Sequence, residues 1–508
     1  MAASEVNETE RKFDVGAETV FPNLTAAEGV VSVEQPDDHD LEAVYYDTPD
    51  HDLARHGMTL RRRSGGTDDG WTLKLPAGPD TRTEVRVPLG SADDGLPEEL
   101  RARARGITRN RPLAPVVTLS TARREYAVRD ADGSVLARVT DDSVRARLLE
   151  TDSPEQTWRE WEVELDRGPA SVLDALADVL LEAGAAPAAS ASKLARALGD
   201  PLTRTPAGPL RAELPEGSVG ELLSTHLAAQ VARLNEQDAR LRAGLPESVH
   251  RLRIAARTLR SALTTFRPVL DRAATDPVRE ELRWIGQELA PARDAQVLRE
   301  HLVEVVSAEP PELVMGPVAN RIDDELGADH ASGLAKVGEA IDSERYLRLL
   351  DTLDALLADP PLESAAANPA RKMARRLLAR DLERLRRAVG DIADASGQAE
   401  RDAAFHEARK KAKRLRYAAE SAERASGKRA RSLAKDAKRV QKILGTHQDA
   451  VTARVRLREL GVQAHLAGEN GFTYGRLHAL EQARAERAEA EFESAWKAFC
   501  RKQVRRWA

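Results

Sequence analysis

Between about Asp47 and Glu164, apolar and polar residues alternate in short runs separated by turn residues, the period of strands with one buried face. Residues 58–63 and 71–75 flank Gly65-Gly66 and Asp69-Gly70, which predicts a hairpin. Further strands are predicted over 83–87, 116–128, 135–140 and 158–165, with a helical interlude at about 97–105. From Ser218 onward the period lengthens to about 3.6 residues in long stretches rich in Ala, Leu, Arg and Glu. That half is predicted to be entirely helical, interrupted at Pro310-Pro311 and Pro360-Pro361. Helix-breaking residues crowd 199–209 and 214–217, so the expected division is an antiparallel β domain over 1–200, a linker over 201–217 and a helical domain over 218–508.

Composition narrows the function classes. The chain has 508 residues, 31% of them charged, and a formal net charge of -6. This excludes a generally basic nucleic-acid protein but leaves room for local segregation of sign. The single cysteine, Cys500, excludes an intramolecular disulfide and a cysteine-based zinc site, and fits a reducing cytoplasm. The first twelve residues are polar and acidic, unlike a secretory signal, and no run of about 18 apolar residues suggests a membrane span. A cytoplasmic location with no membrane partner is the expectation.

Strand alternation sorts the charges. Glu8, Glu10 and Lys12 fall on one face if residues 8–12 are extended. In the strand at 158–165, Glu160, Glu162 and Glu164 line one side and Trp161, Val163 and Leu165 the other. Elsewhere Arg61 and Arg63 share a face, Thr72 and Lys74 share a face, and Arg123 and Arg124 occupy opposite faces, with Arg123 favoured as the inward one. Each row alone could be solvated. Converging rows of both signs would instead make a charged barrel interior, tolerable when opposite charges and a metal compensate one another, and suited to a polyanionic, metal-bound ligand.

The helical half contains an internal repeat. His250, Arg253, Arg257 and Arg260 match His406, Arg409, Lys413 and Arg416 at spacing i, i+3, i+7, i+10, one helical face in each case. The segment Leu289 to Ala295 likewise echoes Leu444 to Ala450. The second stripe also carries Lys410, Lys411 and Arg414, and Lys435, Lys438, Arg439 and Lys442 extend its charge into the next helix with Asp436 the only local acid. Such stripes point to anion contact. The first repeat is less basic in its second helix, where Glu280 and Glu281 precede Arg283, so the binding surface is expected to be weighted toward the C-terminal half.

The Glu8-x-Glu10-x-Lys12 signature, Leu60-Arg-x-Arg63, Thr72-x-Lys74 and Glu162-Val-Glu-Leu165 resemble the CYTH family, the triphosphate tunnel metalloenzymes, over about residues 6–198. That resemblance implies an eight-stranded antiparallel tunnel. It also implies that Lys12, Arg61, Arg63, Lys74, Arg123 or Arg124, and Lys193 bind phosphate, and that Glu8, Glu10, Asp141, Glu162 and Glu164 hold Mg²⁺ or Mn²⁺. Glu8, Glu10 and Lys12 would be the catalytic row. The helical half is similar to the CHAD domain over about 218–508, which implies two pseudo-symmetric helical bundles with a basic surface for inorganic polyphosphate, and a place on polyphosphate granules. Together they imply hydrolysis of inorganic triphosphate or a related triphosphate beside a polyphosphate-binding module. The alternatives are a non-catalytic polyphosphate-binding protein and an adenylate cyclase. Nucleic acid is disfavoured, because no aromatic stacking pattern accompanies the basic stripes.

Overall fold

Alternation drives the N-terminal unit into one antiparallel sheet. In the computed structural model, which describes residues 4–34, 36–66, 68–78, 80–90, 95–149, 153–199, 214–504 and 507, its strands are β1 (Ser4–Val15), β2 (Ser32–Val33), β3 (Asp37–Asp47), β4 (Thr59–Ser64), β5 (Gly70–Pro76), β6 (Thr81–Val87), β7 (Ala114–Arg129), β8 (Val135–Leu148), β9 (Gln156–Leu165) and β10 (Ala186–Pro187). The neighbour order β1-β6-β5-β4-β3-β7-β8-β9 returns to β1, so eight strands close into a barrel, with the two-residue strands β2 on β7 and β10 on β1. β1 serves two neighbours. Its first half pairs with β6, from Ser4 opposite Arg86 to Thr9 opposite Thr81, and its second half with β9, from Glu10 opposite Glu164 to Val15 opposite Arg159.

Period-2 alternation gives the barrel two differently filled faces. On the outside, Phe13, Val139, Trp161 and Val163 pack against Leu173, Leu176 and Leu180 of helix α3 (Ala170–Glu182). Leu60, Leu73, Leu75 and Val85 pack against Leu100, Ala104 and Ile107 of α2 (Glu98–Thr108), which follows the short α1 (Asp52–Arg55). The short α4 (Lys193–Leu198) is capped by Ser192, whose hydroxyl accepts from the Ala195 N–H, and packs Leu194, Ala197 and Leu198 on Ala43, Tyr45, Leu119 and Val144. The hairpin expected around 58–75 is present as β4 and β5, Arg61 opposite Thr72 and Arg63 opposite Gly70. One expectation is corrected: the strand predicted to stop at 140 continues to Leu148, because apolar Val144 and Ala146 prolong its buried pattern.

The chain divides into two compact units, Met1–Thr205 with Asp238–Leu245, and Pro206–Gln237 with Pro246–Ala508. Within the predicted linker, 201–213 lies outside the described residues. The second unit is helical throughout its described residues: α5 (Val219–Arg242), α6 (Ser248–Thr265), α7 (Arg272–Glu288), α8 (Ala290–Ser307), α9 (Val318–Asp342), α10 (Glu344–Ala358), α11 (Ala370–Ala393), α12 (Gln398–Ser421), α13 (Glu423–Leu466) and α14 (Phe472–Phe499). α13 breaks at Gly427, whose φ of 52° and ψ of -133° no β-carbon tolerates well. Its first half buries Leu433, Val440 and Leu444 with Leu382 of α11, Leu415 of α12 and Phe492 of α14. Its second half buries Leu457 and Leu460 with Leu302 of α8 and Ile322 of α9. The sequence repeat thus maps to α6 with α8, and to α12 with α13.

No helix among the described residues is long and apolar enough to cross a membrane.

Candidate functional site

The barrel interior gathers charge from every wall. Glu8, Glu10 and Lys12 from β1, Arg61 and Arg63 from β4, Lys74 from β5, Arg123 from β7, Glu162 and Glu164 from β9, and Lys193 from the start of α4 line one cavity. The strand residues among them occupy inward positions, while neighbours such as Phe13, Leu60, Leu73 and Val163 point outward onto α2 and α3.

Two ion-pair clusters meet at Lys12. In the first, Lys193 Nζ lies 2.9 Å from Asp142, 2.7 Å from Glu160 and 2.8 Å from Glu162. Arg123 grips Asp142 bidentately at 2.8 and 2.7 Å and reaches Glu162 at 3.1 Å. In the second, Lys74 Nζ lies 2.7 Å from Glu8 and 2.5 Å from Glu84, and Arg86 Nη2 lies 2.7 Å from Glu8 and 2.5 Å from Glu84. Lys12 joins them, 2.8 Å from Glu10 and paired with Glu162. Burial alone would neutralise these acids. Against it, Lys12, Lys193 and Arg123 hold Glu162 well below the usual carboxylate range. Similarly, Lys74 and Arg61 overcome burial to hold Glu84 low.

Glu164 is the exception. It stands directly opposite Glu10 in the β1–β9 ladder. Burial first, then the charge of Glu8, pushes its carboxyl up to about 7, with Glu10 and Glu84 adding to the repulsion. Burial and Glu84 also raise Glu8. Like charges directly opposite destabilise a ladder; here Lys12 compensates Glu10 at 2.8 Å and Lys74 compensates Glu8 at 2.7 Å. Asp142, Glu160 and Glu162 bring one carboxylate oxygen each within 4.8 Å of one another, an acidic group able to hold a metal.

One tunnel assignment is corrected, and the open choice between Arg123 and Arg124 is resolved. Asp141 turns outward, where Arg159 grips it bidentately at 2.8 and 2.7 Å. The inward acid is Asp142, fully buried; one residue along a strand changes the face. Arg124 also points out, to Asp38 at 3.0 Å, which leaves Arg123 inside. Sequence reasoning passed over Glu84 and Arg86, although their alternation with Val85 and Val87 carried the signal. It also passed over Tyr45, a cavity-lining phenol that burial pushes up but Arg61, hydrogen-bonded to it, brings below its ordinary value. Asp68, which reaches Arg63 from the β4–β5 turn, had no periodic signal to reveal it.

The helical unit holds a separate basic cleft of about 620 Å³. It is lined by Arg253, Arg257 and Arg260 of α6, Arg279 and Arg283 of α7, and His406, Arg409, Lys410, Lys411, Lys413 and Arg414 of α12. Both repeats contribute to its lining. Arg253 pairs with Asp294 at 2.7 Å, Lys410 with Glu407, and His406 Nδ1 donates to Gln448 Oε1 at 2.6 Å. Tyr417 forms one wall, its hydroxyl accepting from Arg257 Nε at 3.1 Å. Burial, then repulsion from Arg257, Arg409, Arg253 and Arg260, lowers Lys413 to about 7.

Six residues of the predicted stripes do not line this cleft. The first repeat leaves out His250; the second leaves out Arg416, which turns to Glu420 at 2.7 Å. Lys435, Lys438, Arg439 and Lys442 are exposed on α13, because the same helix buries Leu433, Ala437, Val440 and Leu444 on its other side.

A closed antiparallel tunnel with rows of acids and bases inside, joined to an all-helical unit with a basic cleft, defines a two-module protein of the triphosphate-tunnel class. Residues 7–198 match the CYTH domain and residues 225–458 match the CHAD domain. The chain belongs to the family of CYTH–CHAD proteins. It is 40% identical over 506 residues to an uncharacterised protein of Mycobacterium tuberculosis strain H37Rv, covering 96% of this chain and 95% of that one. Among solved structures it is similar to PptA from Streptomyces chartreusis, at 25% identity over 55% of this chain and 99% of that one, TM-score 0.46. It is also similar to the CHAD domain of the plant Ricinus communis, at 24% identity over 58% and 98%, TM-score 0.43.

Proposed function

We propose that the tunnel hydrolyses inorganic triphosphate or a related triphosphate in a metal-dependent reaction, and that the helical unit binds inorganic polyphosphate. The observation that carries the first part is the convergence of Lys12, Arg61, Arg63, Lys74, Arg123 and Lys193 on one cavity with an acid row. Six cations match the closely spaced charge of a phosphate chain, and guanidinium groups grip phosphate oxygens in pairs. Glu8, Glu10 and Glu164, with Glu162, would hold Mg²⁺ or Mn²⁺. When bound, such an ion neutralises phosphate charge and lowers the pKa of coordinated water.

The protein's own residues then have separable tasks. Lys12 lies between the two clusters, where it steadies Glu10 and Glu162 and offers positive charge to the chain. Arg123 and Lys193 are anchored by Asp142, which fixes their heads at the cavity wall before ligand arrives and lowers the ordering cost of binding. Catalysis of this kind is positioning plus charge stabilisation, which a pre-arranged set of cations supplies. In the helical unit, the support is a cleft lined by arginines and lysines with few acids and no flat aromatic platform beyond Tyr417, the chemistry of a polyanion without bases.

The deciding experiment incubates purified protein with triphosphate, ATP and thiamine triphosphate, each with Mg²⁺ or Mn²⁺, and identifies products. Orthophosphate released from triphosphate supports the proposal. Cyclic AMP from ATP would replace it with a cyclase, and no turnover with intact polyphosphate binding would replace it with a binding protein.

A further inference from the structure

Beside the basic cleft, α11 carries a carboxylate buried among arginines. Asp381 is 1% exposed. Arg384 Nη1 lies 2.7 Å from it, Arg414 Nε 3.2 Å and Arg380 Nε 4.0 Å. One carboxylate cannot balance three guanidinium groups. Arg376 adds positive charge next to Arg380, and Arg279 adds it next to Arg414, although Asp276 pairs with Arg279 at 2.6 Å. Arg380 Nε is buried without a hydrogen-bond partner, and Arg380 Nη2 finds only the Thr265 carbonyl, at 3.3 Å. A half-buried knot of like charges with an unsatisfied donor is unfavourable until an anion enters it.

Arg414 connects this knot to the cleft, since it both lines the cleft and bonds Asp381. Neighbouring guanidinium groups therefore continue from Arg257 and Arg260 through Arg279 and Arg414 to α11.

We propose that Arg376, Arg380 and Arg384 of α11 form a second anion subsite continuous with the cleft through Arg414, so that the helical unit takes a long linear polyphosphate in preference to a short one. Asp381 is the positioning residue that holds Arg384 and Arg414 toward the shared track. This rests on the reading of the helical unit as a polyphosphate binder.

The test measures binding of the full chain to a long-chain polyphosphate and to a short oligophosphate across a salt series. Arg380→Gln with Arg384→Gln should weaken long-chain binding about tenfold and flatten its salt dependence by roughly 0.7 per arginine removed, while short-chain affinity stays within about twofold. Arg376→Gln, at an exposed position outside the buried network, should act in the same direction and covers the case in which the double variant does not fold. Equal losses for both lengths, or unchanged long-chain binding in folded variants, overturn the second subsite. Failure of the unsubstituted protein to bind either length overturns the polyphosphate reading itself, and the subsite with it.

Discussion

Glu10 and Glu164 stand directly opposite each other where β1 meets β9, so the seam that closes the barrel is made across two carboxylates on its inner face. Replacing Glu8 and Glu10 together by Gln removes two of the proposed metal ligands from this seam. Metal-dependent turnover should fall at least about 100-fold, measured as phosphate release. Polyphosphate binding by the helical unit should be unchanged, and full hydrolysis in the double variant would remove these acids from the metal site.

Proton competition at Glu164 gives a pH signature. Its carboxyl titrates near 7, and a metal ion takes only the deprotonated form. Divalent-cation affinity should therefore rise as pH increases from about 5 to about 7 and level off above, read by calorimetric titration. Metal-free stability runs the other way. The folded pKa lies above the unfolded one, so the folded state holds the extra proton and loses stability as pH rises from about 4.5 to about 7. Glu164→Gln should recover on the order of 2 kcal/mol at about pH 8 and little at about pH 5, by thermal denaturation in chelator.

The two adjacent aspartates of β8 should separate cleanly. Asp142→Asn leaves Arg123 and Lys193 short of a buried partner and should cost roughly 3–5 kcal/mol, with loss of turnover. Asp141→Asn breaks an outward pair with Arg159 and should cost about 1 kcal/mol, with turnover intact. Denaturant titration and a phosphate-release assay on both variants measure the difference.

The proposed polyphosphate binding should depend on pH through Lys413. Burial and four arginines hold its ammonium near 7 in the free protein; a bound polyanion reverses that repulsion. Binding above about pH 7 then requires proton uptake, so affinity should decline from about pH 7 to about pH 9. Lys413→Arg should abolish the decline. A slope that persists in that variant would place the titrating group elsewhere.

Much of this architecture was readable from periodicity, and the failures share a cause. Alternation put Glu8, Glu10 and Lys12 on one face, and Arg61 with Arg63 on another, because successive strand side chains point to opposite faces, and the buried neighbours Phe13 and Leu60 mark the outer side. In β8 both faces carry apolar residues, Val139 outward and Val144 inward, so the pattern could not say which of Asp141 and Asp142 points in. The helical stripe was legible as a face but its reach was not: Arg416 turns to Glu420, and the α13 cations lie opposite that helix's buried side. The α11 arginines were passed over because they repeat no other segment. Asp68 could not be found at all, as only the folded hairpin brings it to Arg63.

The divided pairing of β1 also governs when the tunnel can exist. Residues 4–9 can join β6 early, but residues 10–15 must wait for β9, about 150 positions later in the chain. Such a contact is entropically late. On a ribosome, the acid row emerges first and is completed last, and until β9 arrives Glu10 and Lys12 have no facing wall.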